Sequence, residues 1–450
     1  MKAKIVLFSL LLVSSSLVYG QIKLNVKGRH KKTDTEYNFL FIRRNPAAAG
    51  TMLIANVVGN PVSVEVSWND LKNIVFLPED AEQFWEAEGL KSGLYEKLMR
   101  NGFQYEQRRA LEEEIADFLS KAEENGQFYI DSYLESRLYA LLRKVYLLRP
   151  ADGRPGILSL RIISSLVPDA WVGPDGTMIL STAVLTAVNS EDELLALMAQ
   201  EVAHFALDHH MDNYSLLTAD YKTADLAHVI MYSREQEIQA DQCAEGLLKI
   251  LGKDPLALSS VLNKIGSYGE TMGNYHIVSA TGLFPYALLR AASLGIPGTF
   301  FSGDYEKMIA PVVTHNAYKA YDMSQYLVCQ RLLDRNMVSG QASANDYILM
   351  SEAMLRLYDT PEKNEETLMT VQKAISSGKP VPATAFKQEA LVLLRMGRNA
   401  EAGIALKRCA SALEEEFKRY STMPGDWSQT LSYLSSEMDW VRRMMDKVKG

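Results

Sequence analysis

The residues with the most chemical content are Gln200-Glu201-Val202-Ala203-His204. In a helix, positions 200, 201 and 204 share one face, because four residues turn through about 400° and leave an offset of only about 40°. Donors one turn apart can reach a single cation, and a carboxylate beside the first can take a proton from water held there. Zinc sites of this spacing carry His at both donor positions and Glu as the base. Here Glu201 and His204 stand in two of those places, and Gln200 stands where the first imidazole would be. On spacing alone, five residues read more readily as a polar patch on a helix flank.

A second segment changes that balance. Glu237-Ile238-Gln239-Ala240-Asp241 falls in the next long helical stretch, with Glu237 and Asp241 one turn apart. A carboxylate from a second helix can complete a zinc ligand set. A further acid one turn on can accept the N–H of a ligating His and fix its tautomer. The plain alternative is a pair of surface acids beside Arg234.

With two more motifs, the chain resembles the zinc metallopeptidase family of the CAAX prenyl endopeptidase and HtpX type, a gluzincin family with soluble exported members that carry tetratricopeptide tails. The resemblance covers roughly residues 125–300, under half of the chain. The run from Pro168 to Leu185 is similar to the family's edge strand and following helix, and Asp192 to His204 to its active-site helix. Glu237 to Asp241 matches its E-x-x-A-D, and Phe284-Pro285 with Arg290 sits where members carry His-Pro and, five residues beyond the Pro, Arg. The resemblance implies an α+β, mainly α, zincin-like core with a short edge-strand sheet, and peptide-bond hydrolysis with one zinc ion. It implies His204 and Glu237 as zinc ligands, with Gln200 in the remaining ligand position. Glu201 would be the base, Asp241 would orient His204, and Arg290 would stabilise the oxyanion. The strand holding Thr177, Ile179 and Ser181 would pair with an extended polypeptide.

The departures matter as much. Gln200 offers a neutral amide where zinc expects an imidazole. Phe284 replaces a His, and Asp169 stands where members commonly have Asn. On an ideal helix neither His209 nor His210 reaches the metal that His204 faces; only a fray at Asp208 would redirect one. His228 faces nearly the opposite side from Glu237, and His30, His276 and His315 are scattered. Two readings therefore stand beside each other. One is a working zinc endopeptidase of weak activity. The other is a degenerate pseudopeptidase that binds unfolded or extended polypeptide, or a partner protein. An inert scaffold with accidental polar packing is the remotest reading.

The elements that must position these groups follow from patterning. At 450 residues the chain has room for two to four domains of roughly 100–200 residues. Residues 21–80 alternate as a small antiparallel β unit, 81–303 hold the peptidase-like domain, and 304–450 read as helices only. Single helices are expected over 191–210, 224–251 and 317–336. Glu389 to Ala402 resembles one tetratricopeptide unit, which makes the tail a candidate surface for a partner protein. Lys2, Lys4, the apolar run Ile5 to Val13 and small residues up to Gly20 read as a secretory signal over 1–20. The expectation is an exported protein, periplasmic or secreted, with no integral membrane segment after cleavage. Lys and Arg total 47 against 55 Asp and Glu, a net charge of −8, so nucleic-acid binding is not expected. Three cysteines make no disulfide framework.

Overall fold

The computed structural model describes residues 21–44, 50–101, 104–146, 159–220, 224–273, 286–378 and 380–449. The segment 1–20 and the Phe284-Pro285 pair lie outside the described residues. Two compact units divide the chain: residues 1–268 with 276–302, and residues 269–275 with 303–450. Among the described residues no helix is long and apolar enough to cross a membrane. The three cysteines are free and buried.

The first unit opens with an antiparallel sheet of β1 (Gln21–His30), β2 (Glu36–Arg44), β3 (Thr51–Val57), β4 (Ser63–Val66) and β5 (Ile74–Phe76), in the order β4-β3-β2-β1-β5. Alternation drives it: Leu24, Val26 and Gly28 of β1 face inward while their neighbours face out. At Gly28 a Cβ would lie 2.5 Å from Cγ2 of Ile74, so only glycine lets β5 close on β1. The core under this sheet continues through Ala87 and Leu90 of α1 (Ala81–Lys91) and Leu94, Tyr95 and Leu98 of α2 (Leu94–Asn101). Packing thus carries across residue 80, although the sequence pattern changes there. Helices α3 (Tyr105–Glu124) and α4 (Ser132–Tyr146) follow.

A second, mixed sheet has the order β6-β8-β7, from β6 (Ser159–Ile163), β7 (Ala170–Val172) and β8 (Thr177–Ser181). β7 and β8 form a hairpin, and β6 runs parallel to β8. All five residues of β8 are buried. Ser181 then caps α5 (Thr182–Ala187) by accepting the Val184 N–H.

Helix α6 (Glu191–Ala206) is buried along its length from Glu193 onward. Ser190 caps it, and three acids in its first turn face the positive end of the helix dipole. The expected helix through His210 ends early. Asp208 adopts a left-handed φ of 66°, and a separate helix α7 (His209–Ala219) starts after it. Likewise the stretch 224–251 holds a short α8 (Leu226–Val229) and then α9 (Arg234–Ile250), which begins with a Ser233/Gln236 capping box. Helix α10 (Leu256–Gly266) packs on α6 and on α11 (Ala287–Leu294), the helix that carries Arg290.

The second unit's described residues from 303 onward are helical: α12 (Gly303–Asp322), α13 (Tyr326–Val338), α14 (Ala344–Leu357), α15 (Pro361–Ser376), α16 (Ala383–Arg395), α17 (Asn399–Thr422) and α18 (Ser428–Lys449). They pack as successive hairpins, and α12, α14 and α16 touch in turn. The single helix expected over 317–336 is two, broken where Ser324 takes a left-handed φ of 58°.

Candidate active site

The centre forms where the last turns of α6 meet the first turns of α9. Gln200, Glu201 and His204 come from α6 and Glu237 from α9, and all four are buried. The two helices therefore aim an imidazole and a carboxylate at one place, as the resemblance implied. What joins them is the Gln200 side chain. Its Nε2 lies 3.0 Å from Nε2 of His204 and 3.0 Å from Oε2 of Glu237, and those two atoms are 3.6 Å apart. Both partners can accept, so the amide nitrogen, not its oxygen, belongs between them.

This assignment fixes the rings behind it. Nε2 of His204 accepts, so its proton sits on Nδ1, which meets Nδ1 of His209 at 3.0 Å. That atom must accept in turn, and His209 then donates from Nε2 to Oε1 of Gln239 at 3.1 Å. Tyr232 stacks on the His204 ring, with centroids 3.6 Å apart and planes 18° from parallel. Burial, then the Arg290 charge, pushes the His204 pKa well below its ordinary value; burial, then His204, does the same to His209. Both rings are neutral.

The acids are displaced the other way. Burial outweighs the Arg290 charge and raises Glu237 to about 7. Burial, then Glu237 and Asp169, raises Glu201 well above the carboxylate range. Asp169 is raised to about 7 by burial. Among the described residues Gln200 Oε1, Glu201 Oε2, Glu237 Oε1 and Asp169 Oδ1 are buried with no hydrogen-bond partner.

Two expected roles, those of Asp241 and of the strand Thr177–Ser181, are not what these contacts provide. Asp241 does not orient His204: it takes a two-pronged bond from Arg290, Nε to Oδ2 at 2.8 Å and Nη2 to Oδ1 at 2.6 Å. His209 holds His204 instead. Arg290 Nη1 lies 2.6 Å from Oε2 of Glu237 as an ion pair, yet makes no hydrogen bond among the described residues. Thr177, Ile179 and Ser181 cannot accept a further strand. β8 is the central strand, paired on both sides, and strand order is a long-range property that no local pattern encodes.

His209, Tyr232, Gln239 and the strand-edge residue Val172 belong to the site and were not assigned to it by spacing. The usable signal was Asp208-His209-His210: Asp tolerates the left-handed conformation, and a helix broken there swings both rings back toward α6.

Zinc would need three or four donors at about 2.0–2.3 Å. His204 Nε2 and Glu237 Oε2 have suitable separation, since donors about 2.1 Å from a tetrahedral zinc stand about 3.4 Å apart. The rest of the set does not fit. The third corner holds an amide nitrogen that donates to both donors, and a guanidinium occupies the same Glu237 oxygen. Among the described residues no group of three or more His, Cys, Asp or Glu side chains is placed to hold a metal ion.

The model of peptidase family M48 matches residues 151–223. Of the described elements, that stretch holds β6 to β8 and α5 to α7, and it stops short of Glu237 and Arg290. The match supports a metallopeptidase family for this segment, a family whose peptidases are zinc-dependent. No curated protein matches the chain.

Proposed function

We propose that this chain is an exported, catalytically degenerate metallopeptidase of the CAAX prenyl endopeptidase/HtpX type, a pseudopeptidase that binds extended or unfolded polypeptide without cutting it. The observation that carries the reading is the Gln200 amide nitrogen seated between His204 and Glu237. Arg290 supports it by neutralising Glu237 from within the chain. Glu201 is in keeping with it: burial, then Glu237 and Asp169, raises its pKa well above the carboxylate range and so favours its protonated form. Export rests on the signal-like segment 1–20. The hairpins α12 to α17 are a suitable tetratricopeptide-like scaffold for a partner protein.

Metal analysis of protein purified without chelator, paired with a casein assay, tests the reading. The expected result is zinc far below one per chain and no hydrolysis that Glu201→Gln abolishes. Near-stoichiometric zinc with Glu201-dependent hydrolysis overturns it. A second reading, a zinc-dependent endopeptidase, is favoured by one feature: Gln200 Oε1 lacks a partner, and reversing the amide would turn that oxygen toward His204 and Glu237.

A further inference from the structure

Two cavities lie in the β unit, and different residues of the 3-10 helix Trp68–Asn73 line each of them. This helix links β4 to β5 and turns once in three residues, so Asp70 and Lys72 project on different sides. The cavity on the Lys72 side, of about 380 Å³, has charges of both signs: Lys72 and Lys91 stand with Glu96, and Lys91 already pairs with Glu88 at 2.5 Å.

The cavity on the Asp70 side is sorted by charge. Its volume of about 270 Å³ is that of about nine waters at about 30 Å³ each, the scale of one side chain. Val57, Val64, Val66 and Ile74 give it an apolar lining, and Tyr37 adds a ring directly opposite Val57 across β2 and β3. Its charged lining residues are Glu65 and Asp70. Neither carboxylate has an ion-pair or hydrogen-bond partner among the described residues. His30 lines the cavity as well. Its Nδ1 faces the N–H groups of Lys32 at 3.3 Å and Thr33 at 3.2 Å and must accept, so the ring carries its proton on Nε2. Two bases close in sequence are engaged elsewhere: Lys31 Nζ donates to the Lys72 carbonyl at 2.9 Å, and Arg29 pairs with Glu36 at 2.7 Å.

We propose that this cavity is a binding site for a cationic side chain of another polypeptide, an Arg guanidinium or Lys ammonium on its alkyl stem. Such a side chain is apolar along its stem and charged at its tip. The valines and Ile74 suit the stem, Glu65 and Asp70 suit the tip, and a tyrosine ring attracts a cation within about 6 Å of its centre. A bare metal ion would leave the apolar lining without a role, and among the described residues no three His, Cys, Asp or Glu side chains are placed to hold one. A diamine would have to set its second charge against Val66 and Ile74, both buried. The site gives the β unit a recognition role that does not depend on the centre at His204.

Isotope-labelled full-length protein is titrated with N-acetylarginine amide, with its uncharged isostere N-acetylcitrulline amide and with putrescine, following the amide signals of Val64 and Glu65. The arginine probe is expected to bind at least about tenfold more tightly than the other two, the scale of one lost charged hydrogen bond. Added salt should weaken it, since Glu65 and Asp70 are exposed. Glu65→Gln with Asp70→Asn, exposed changes checked for folding by circular dichroism, is expected to bring the arginine probe down to the citrulline level. No shift with the arginine probe overturns the proposal, as does citrulline binding equally well or affinity unchanged in the double variant. Putrescine binding as tightly as the arginine probe overturns the side-chain assignment. Metal content and hydrolysis do not enter these readouts, so the result stands apart from the fate of the pseudopeptidase reading.

Discussion

The amide nitrogen of Gln200 and the Oε2 atom of Glu237 stand 3.0 Å apart as donor and acceptor. A metal at such a centre does two jobs: it joins ligands from two helices, and it supplies positive charge against the buried carboxylate. Here the jobs are divided. Gln200 does the joining, with one N–H each for Glu237 and His204. Arg290 supplies the charge, 2.6 Å from the same Glu237 oxygen. The centre is still not saturated: Gln200 Oε1, Glu237 Oε1, Glu201 Oε2 and Arg290 Nη1 are buried without a hydrogen-bond partner among the described residues.

If the amide is what keeps an ordinary donor set from forming, restoring the imidazole should restore metal binding. Gln200→His is expected to raise zinc affinity by roughly tenfold or more, read by calorimetric titration, because it supplies a third donor from the same face of α6. Unchanged zinc affinity would mean that α6 does not aim position 200 at the space between His204 and Glu237.

Arg290 is expected to be a stability residue here. Arg290→Ala leaves Glu237 and Asp241 buried without their cation, and stranding a buried charge costs about 3–5 kcal/mol. Urea unfolding followed by fluorescence measures it. A loss below about 1 kcal/mol, well under the cost of a stranded charge, would show that the Asp241 and Glu237 contacts are not both made in solution.

How far the site could be read from sequence depends on the range of each interaction. The shared face of Gln200, Glu201 and His204 was legible because their spacing is local, whereas the meeting of α6 and α9 was available only through the resemblance of Glu237 to Asp241 to a family motif. The break after α6 was only half legible: Asp208 tolerates the left-handed conformation, but the Arg108 that pairs with it comes from a distant helix. Tyr232 carries no spacing signal, since it sits between α8 and α9 and acts by stacking. The place of Thr177, Ile179 and Ser181 in a central strand depended on which strand lies beside which.

The neutral chain through the imidazoles has its own signature. At pH 7, nitrogen-15 chemical shifts are expected to show His204 uncharged with its proton on Nδ1, and His209 uncharged with its proton on Nε2. A charged His204, or one protonated on Nε2, would remove the Gln200 amide from its assigned place. Gln200→Leu then provides the control: with no N–H to accept, His204 loses its tautomer preference.

Asp169 allows a pH test with a defined sign. Its folded-state pKa is raised to about 7 by burial, against 3.8 for an ordinary aspartate. The folded protein thus holds a proton there that the unfolded chain has released. Below the unfolded value both states are protonated and the group costs nothing. As pH climbs from about 4 to 7 the cost of ionising a buried carboxyl grows, and above 7 it is fully present. Asp169→Asn keeps an oxygen for the Ala170 N–H and removes the titration; Asn is also the residue that the resembled family commonly carries there. The variant is expected to match wild type in urea midpoint near pH 4 and to exceed it by at least about 1 kcal/mol at pH 8, since a tenfold change in a protonation equilibrium corresponds to about 1.4 kcal/mol. His204 and His209 titrate alike in both proteins and cancel from the difference, whereas Glu201, relieved of the Asp169 charge, shifts in the same direction as the expected gain. A variant equally stable relative to wild type at both pH values would place the Asp169 carboxyl in contact with water.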